Sequence, residues 1–166
     1  MAIFTANILR FELTNASATA PARATTGSAG FDICSCENEI IKSGQTKIIK
    51  TGIKLEIPFG YEVQIRPRSG ISAKTDIVVM LGTIDSDYRG EIGIICKNVG
   101  LTDYEVKIGD RLAQFVINKV ELMELQQAVI ETNTERGAGG FGSTGYRENT
   151  ELKVLVDKLI KSVNHE

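Results

Sequence analysis

The chain has 166 residues, with 19 Lys and Arg against 21 Asp and Glu, and a formal net charge of −2. That length fits one domain able to bury a real core, and the near-neutral balance offers no general attraction to nucleic acid or to an anionic membrane. At 42% hydrophobic and 24% charged residues the composition is globular, and the apolar runs are far too short to cross a bilayer.

In chain order, the opening MAIFTANILRFELTN lacks the basic, apolar and small-residue order of a signal peptide, so an intracellular protein, cytoplasmic or nuclear, is expected. Short β-rich runs follow at 8–13, 30–35, 46–50, 53–57, 61–66, 76–80, 91–97 and 111–118, divided by Gly, Pro, Asn and Asp. Their period is two. Ile53, Leu55 and Ile57 alternate with Lys54 and Glu56; Tyr61, Val63 and Ile65 repeat the pattern, as do Tyr104, Val106 and Ile108. Strand–helix alternation is missing, which leaves a parallel sheet without material and predicts an all-β barrel or sandwich, often of jelly-roll type. Only NTELKVLVDKLIKSV (149–163) has helical spacing, at Leu152, Leu155, Val156, Leu159, Ile160 and Val163. Asn149 or Thr150 can cap this C-terminal amphipathic helix.

Cys34, Cys36 and Cys96 form no zinc spacing and read as plain reduced thiols, the first two on one face of a strand. The single histidine is His165, next to last. Unless that terminus supplies it, there is no Ser-His-Asp or Cys-His pair and no histidine-based metal site, and a hydrolase built on this chain takes a carboxylate or a metal-bound water as its base.

Four stretches carry chemistry. In RPRSG (66–70), Arg68, Ser69 and Gly70 make a natural phosphate cradle, or else an ordinary turn with a surface arginine. GTIDSDYRGEIG (82–93) reads as a hairpin turning at Asp85-Ser86-Asp87, an acidic tip that serves solvation as readily as catalysis. GDRLAQF (109–115) sets the polar Gln114 among apolar neighbours, as a scaffold hydrogen bond or a ligand contact. In RGAGGFGSTG (136–145), Gly137, Gly139 and Gly142 spell G-x-G-x-x-G. A dinucleotide fingerprint needs a strand before it and a βαβ unit around it, whereas polar ETNTE (131–135) precedes this one. The better reading is an arm whose backbone N–H groups and Arg136 wrap an anion, with Phe141 offering a flat ring to a base. Its glycines predict mobility until a ligand arrives.

With AGFDI (29–33) placed before them, these strings in this order resemble the five motifs of the trimeric deoxyuridine triphosphatases, the dUTPases. The resemblance runs from about Ile8 to Gly145. It implies a jelly-roll β domain and a homotrimer whose three active sites draw motifs from all three chains. It also implies magnesium-dependent hydrolysis of dUTP to dUMP and pyrophosphate, which keeps uracil out of DNA and supplies dUMP for thymidylate synthesis. By the same likeness Asp85 orients the water attacking the α-phosphorus, and Asp32 holds Mg2+ through its water shell. Arg68, Ser69 and Gly70 hold the phosphate chain, with Gln114 on the α-phosphate side. Tyr88 lies against the deoxyribose and leaves no room for a 2′-hydroxyl. Backbone groups at Gly82 and Gly93 read the uracil edge, and Val79 stands where some bacterial relatives carry an asparagine near the base. Arg136 clamps the γ-phosphate, Phe141 stacks over uracil, and Gly142, Ser143 and Thr144 close on the phosphates.

The implied organisation is a β domain over 1–130, a glycine-rich arm over 131–145 and a helical extension over 146–166, longer than in many family members. Neither nucleic acid nor membrane is an expected partner. Two other readings stay open. A deoxycytidine triphosphate deaminase on the same fold would need ring-deaminating machinery in place of IDSDYRG and RGAGGFGSTG. A nucleotide-dependent regulatory binding protein would use the C-terminal helix for a protein partner.

Overall fold

Alternating burial is what builds the strands. The computed structural model describes residues 8–140 and residues 154–155. Val154 and Leu155 are helical, and the rest of the helix expected over 149–163 lies outside the described residues. The chain divides into two units, one ending at Met123 and the other beginning at Glu124.

The first unit is all-β with one short helix. Its strands are β1 (Arg10–Leu13), β2 (Phe31–Cys34), β3 (Glu39–Ile41), β4 (Thr46–Lys50), β5 (Ile53–Glu56) and β6 (Tyr61–Pro67). Helix α1 (Ser69–Lys74) comes next, followed by β7 (Ile77–Val79), β8 (Gly82–Ile84), β9 (Gly93–Asn98), β10 (Tyr104–Val106) and β11 (Arg111–Lys119). All the pairings between these strands are antiparallel. One sheet runs β2-β11-β6-β8 and another β4-β9-β7, with the pairs β1-β5 and β3-β10 beside them. Antiparallel pairing lets one face pack and the other meet solvent, which is why the sequence alternates.

Ile53, Leu55 and Ile57 are buried, as are Val63, Ile65 and Val106, and they join Ile33, Ile49, Ile94, Leu112 and Phe115 in one core. Phe115 stacks on Phe31 with ring centroids 5.1 Å apart. Truncating such an aromatic to alanine removes about 3–5 kcal/mol. Ile108 departs from its expected alternation: it sits in a turn that ends β10, beside Gly109 at φ +88°, and is exposed. Buried polar groups are paired. The Asn98 amide donates to the Ile41 and Thr102 carbonyls at 2.9 and 2.8 Å and accepts the Gly100 N–H at 2.9 Å.

Two expectations need correction. The stretch 82–93 is not a hairpin: β8 pairs with β6, while β9 pairs with β4 and β7, so the segment crosses from one sheet to another. Alternation cannot reveal this, because Ile84 and Ile92 are both buried whichever sheet receives them. The RPRSG turn opens a helix, α1, whose SGISAK sequence is too short and too Gly/Ser-rich to show a helical period.

In the second unit, residues 124–133 form no regular element and are exposed. The turn after them is ordered by its own backbone: Gly137, at φ +51°, donates to the Thr134 carbonyl at 3.1 Å, and Gly139 to the Arg136 carbonyl at 3.0 Å. Arg136 Nε returns a bond to the Gly139 carbonyl at 2.9 Å.

Candidate active site

The predicted site residues of the first unit fall into two groups, one on the sheet β2-β11-β6-β8 and one where β8 of that sheet meets β9 of the next. Across β2-β11-β6, register sets Asp32 opposite Gln114 and Gln114 opposite Arg66; on the far edge of β6, Ile65 faces Gly82 of β8. Asp32 on β2 and Gly82 on β8 are thus three inter-strand steps apart, about 14 Å at the spacing of hydrogen-bonded strands. Arg68, by contrast, follows β6, the strand next to β8.

The first group is an arginine–carboxylate cluster. Arg68, at the N-cap of α1, sends Nε to Asp32 Oδ1 at 2.9 Å and Nη1 to the Arg111 carbonyl at 2.9 Å. Arg111 Nη1 stands 3.5 Å from Asp32 Oδ2. The reach of Arg111 follows from a break in register between Arg111 and Ala113, since a bulge re-aims the side chain beside it. The Gln114 amide donates to the Pro67 carbonyl at 3.1 Å. Its side chain lies over Gly30, where an added Cβ would collide with Gln114 Oε1. Ser69 and Gly70 are exposed at the start of α1, where the Arg68 carbonyl already accepts from Ile71 and Ser72, each at 3.1 Å. The N–H groups of Ser69 and Gly70 therefore have no partner inside the helix and remain donors for an anion.

Burial pushes the nearby Cys34 thiol up, against a smaller lowering by a hydrogen bond with Thr19. Cys36 moves up for the same reason, and burial takes Cys96 up to about 11. All three are free, buried thiols, poor nucleophiles at neutral pH.

The second group lines a pocket of about 220 Å³, with Gly82, Thr83, Asp85, Tyr88, Glu91, Ile92 and Gly93 in its wall. This is below the ~300–1,000 Å³ of pockets that enclose a drug-sized ligand, and suits a base with its sugar. The 85–91 segment is tied to itself. Tyr88 N–H donates to the Asp85 carbonyl at 3.2 Å, Arg89 Nη1 to the carbonyls of Ser86 and Tyr88 at 2.7 and 2.8 Å, and Tyr88 Oη to the Glu91 carbonyl at 3.0 Å. Asp85 is exposed at the pocket's edge.

A larger cavity of about 430 Å³ lies along β1 and β5, with Arg89 in its wall. It holds none of the predicted residues, and its Arg10 is paired with Glu56 at 3.2 Å. Chemistry rather than volume locates the site. Val79 is buried and forms no part of the 220 Å³ pocket wall.

Of the remaining predicted residues, Arg136 belongs to the second unit, and Phe141, Gly142, Ser143 and Thr144 lie outside the described residues. Sequence reasoning passed over Arg111, Gly30, Glu91 and Gly90. Each lies within or beside a quoted motif, yet only the fold shows what it touches.

An antiparallel β unit with an arginine–carboxylate cluster on one sheet and a base-sized pocket where that sheet meets the next has the layout of a nucleotide-binding β protein. A family model described as dUTPase matches residues 16–145. A deoxyuridine 5′-triphosphate nucleotidohydrolase from Nautilia profundicola is 50% identical over 139 residues, covering 82% of this chain and 98% of its own. Among solved structures, a mutant dUTPase of Staphylococcus bacteriophage 80alpha with dUpNHpp aligns with a TM-score of 0.81 at 32% identity, over 84% of this chain and 99% of that one. A mutant dUTPase of the S. aureus phage phi11, whose structure describes coordination of a structural Mg(II) ion, aligns at 0.73 and 31%, over 77% and 100%. The chain belongs to the dUTPase family.

Proposed function

We propose that the chain hydrolyses dUTP to dUMP and pyrophosphate by attack of water on the α-phosphorus. The observation that carries this reading is the exposed Asp85 carboxylate at the edge of a base-sized pocket, in a chain whose one histidine is at position 165. A carboxylate there can hold a water in line and accept its proton. Tyr88 bounds the sugar, and backbone groups at Gly82 and Gly93 read the base. Rejection of cytosine follows from a donor–acceptor mismatch that leaves buried groups unpaired. Arg68, Ser69 and Gly70 hold the phosphates, Gln114 faces the α-phosphate, and Arg136 clamps the γ-phosphate. Phe141 and Gly142–Thr144 complete the closure and exclude other water.

Magnesium fits this donor set in one way. Among the described residues no three His, Cys, Asp or Glu side chains gather to ligate a metal. Asp32, 16% exposed, is a single carboxylate with lone pairs left over from its two arginines. One carboxylate suits an ion that keeps its waters and takes its other ligands from the substrate phosphates. When bound, magnesium neutralises the triphosphate; Asp32 would hold it through water.

The jelly-roll reading of the β unit and its assembly as a homotrimer are part of the proposal. Two features support the trimer: Asp32 stands three strands from the Gly82 side of the pocket within one chain, and Ile48, Leu81 and Leu101 are exposed at 62%, 76% and 97%, apolar surface that association would cover. Among the described residues no helix is long and apolar enough to cross a membrane.

The deciding assay is pyrophosphate release from dUTP, dTTP, dCTP and UTP, with magnesium and with EDTA, for wild type and Asp85→Asn. The expected result is magnesium-dependent turnover of dUTP alone, lowered at least ~100-fold by the substitution. Tight dUTP binding without turnover would reject the reading.

A further inference from the structure

Gly90 is not one of the glycines with positive φ, so its backbone does not require glycine. Its neighbour does. A Cβ built on Gly90 would stand 3.0 Å from Tyr88 Cε2 and closer still to Cζ and Oη. The Tyr88 ring therefore lies in the notch left by the missing side chain. Its Oη donates to the Glu91 carbonyl at 3.0 Å.

Glu91 is itself anchored. Its Oε1 accepts the Gly52 N–H at 2.9 Å. The next residue, Ile92, donates to the Ile53 carbonyl at 2.8 Å and accepts the buried Thr51 hydroxyl at 2.6 Å. The latch that holds the tyrosine is thus fixed to the core, whereas Tyr88 itself is 46% exposed.

We propose that Gly90 is a positioning residue for sugar selection: its notch seats the Tyr88 ring at one depth in the pocket wall, and the Glu91 carbonyl latches it there. This rests on the reading that Tyr88 faces the deoxyribose. A wall rejects an extra hydroxyl only if it cannot retreat, and a tyrosine free to change rotamer retreats readily. Alanine at 90 meets only the far end of a half-exposed side chain. The clash is relieved by the ring swinging out, which breaks the latch and leaves the core intact.

The test is kcat/KM for dUTP and for UTP, with a thermal melt of each variant. Gly90→Ala is expected to fold and to lower the dUTP-to-UTP ratio roughly tenfold, mainly by a gain in KM-limited use of UTP. Tyr88→Phe, which removes only the latch bond, lowers the ratio less. In a Tyr88→Ala background, adding Gly90→Ala changes the ratio no further. An unchanged ratio in folded Gly90→Ala, or an additive effect in the double variant, overturns the proposal. If Gly90→Ala does not fold, Tyr88→Phe decides, and an unchanged ratio overturns it. A wild-type ratio in Tyr88→Ala overturns the Tyr88 reading itself. That outcome is distinct from one in which Tyr88→Ala loses selectivity and Gly90→Ala keeps it.

Discussion

The carboxylate of Asp32 and the guanidinium of Arg68 pair at 2.9 Å, with side chains 16% and 27% exposed. Arg68 thereby stands pre-aimed, since its Nη1 is also held by the Arg111 carbonyl. Loss of either contact leaves a half-buried charge short of a partner. Asp32→Asn is expected to lower stability by about 1–3 kcal/mol and to cut dUTP turnover through misaligned Arg68. Arg68→Lys fails likewise, because one ammonium cannot reproduce the fork. Thermal melts alongside steady-state kinetics of both variants check this.

The same cluster predicts the order of metal binding. Two arginines beside one carboxylate leave the locality positive, which repels a divalent cation until phosphates arrive. Calorimetric titration with magnesium alone should show weak binding, tightened at least about tenfold by a non-hydrolysable dUTP analogue. Reciprocity then requires magnesium to tighten the analogue by the same factor. Tight binding of magnesium to the ligand-free protein would contradict the arrangement.

Asp85 follows Ile84, which pairs with Val63 near the start of β6, while Arg68 follows the far end of β6 at Pro67. This separation along the strands makes subunit sharing testable. If Asp85 and Arg68 of one site come from different copies, Asp85→Asn and Arg68→Ala are each inactive. Refolded together in equal amounts, they should recover about a quarter of the wild-type sites. No recovery from mixed oligomers would mean that each chain carries both halves of its site.

The buried thiols give a pH signature. Folding raises the Cys96 value from 9.0 to about 11. A group whose folded value is raised adds stability below its unfolded value and loses it as pH rises through the folded one. The melting temperature should therefore fall between pH 9 and about 11, less steeply in Cys96→Ala. At neutral pH a disulfide reagent should react slowly with the native protein and with all 3 cysteines after denaturation.

Much of this was legible in residues alone. The period-two runs locate most strands because a half-buried antiparallel strand imposes that period on its side chains, and Ile53, Leu55 and Ile57 show it cleanly. Chemistry was legible too: with a single histidine next to the end of the chain, the base is narrowed to a carboxylate or a metal-bound water, and the motif strings carry the family. Other features escaped. Strand β3 is three residues long, α1 has no periodic face, and the partners of β8 and β9 are not a local property.

What the tertiary structure decided is which groups meet. Asp32, Arg68 and Arg111 are distant in sequence and join because β2 and β11 pair, with a register break beside Arg111 that lets its exposed side chain reach Asp32. Tyr88 and Gly90 are two apart, yet that the ring lies over the glycine depends on the Glu91 carbonyl being fixed to the core. Composition and period are local, so the chain itself sets them. Register, bulges and side-chain contacts depend on what lies across the sheet, and only the folded chain supplies that.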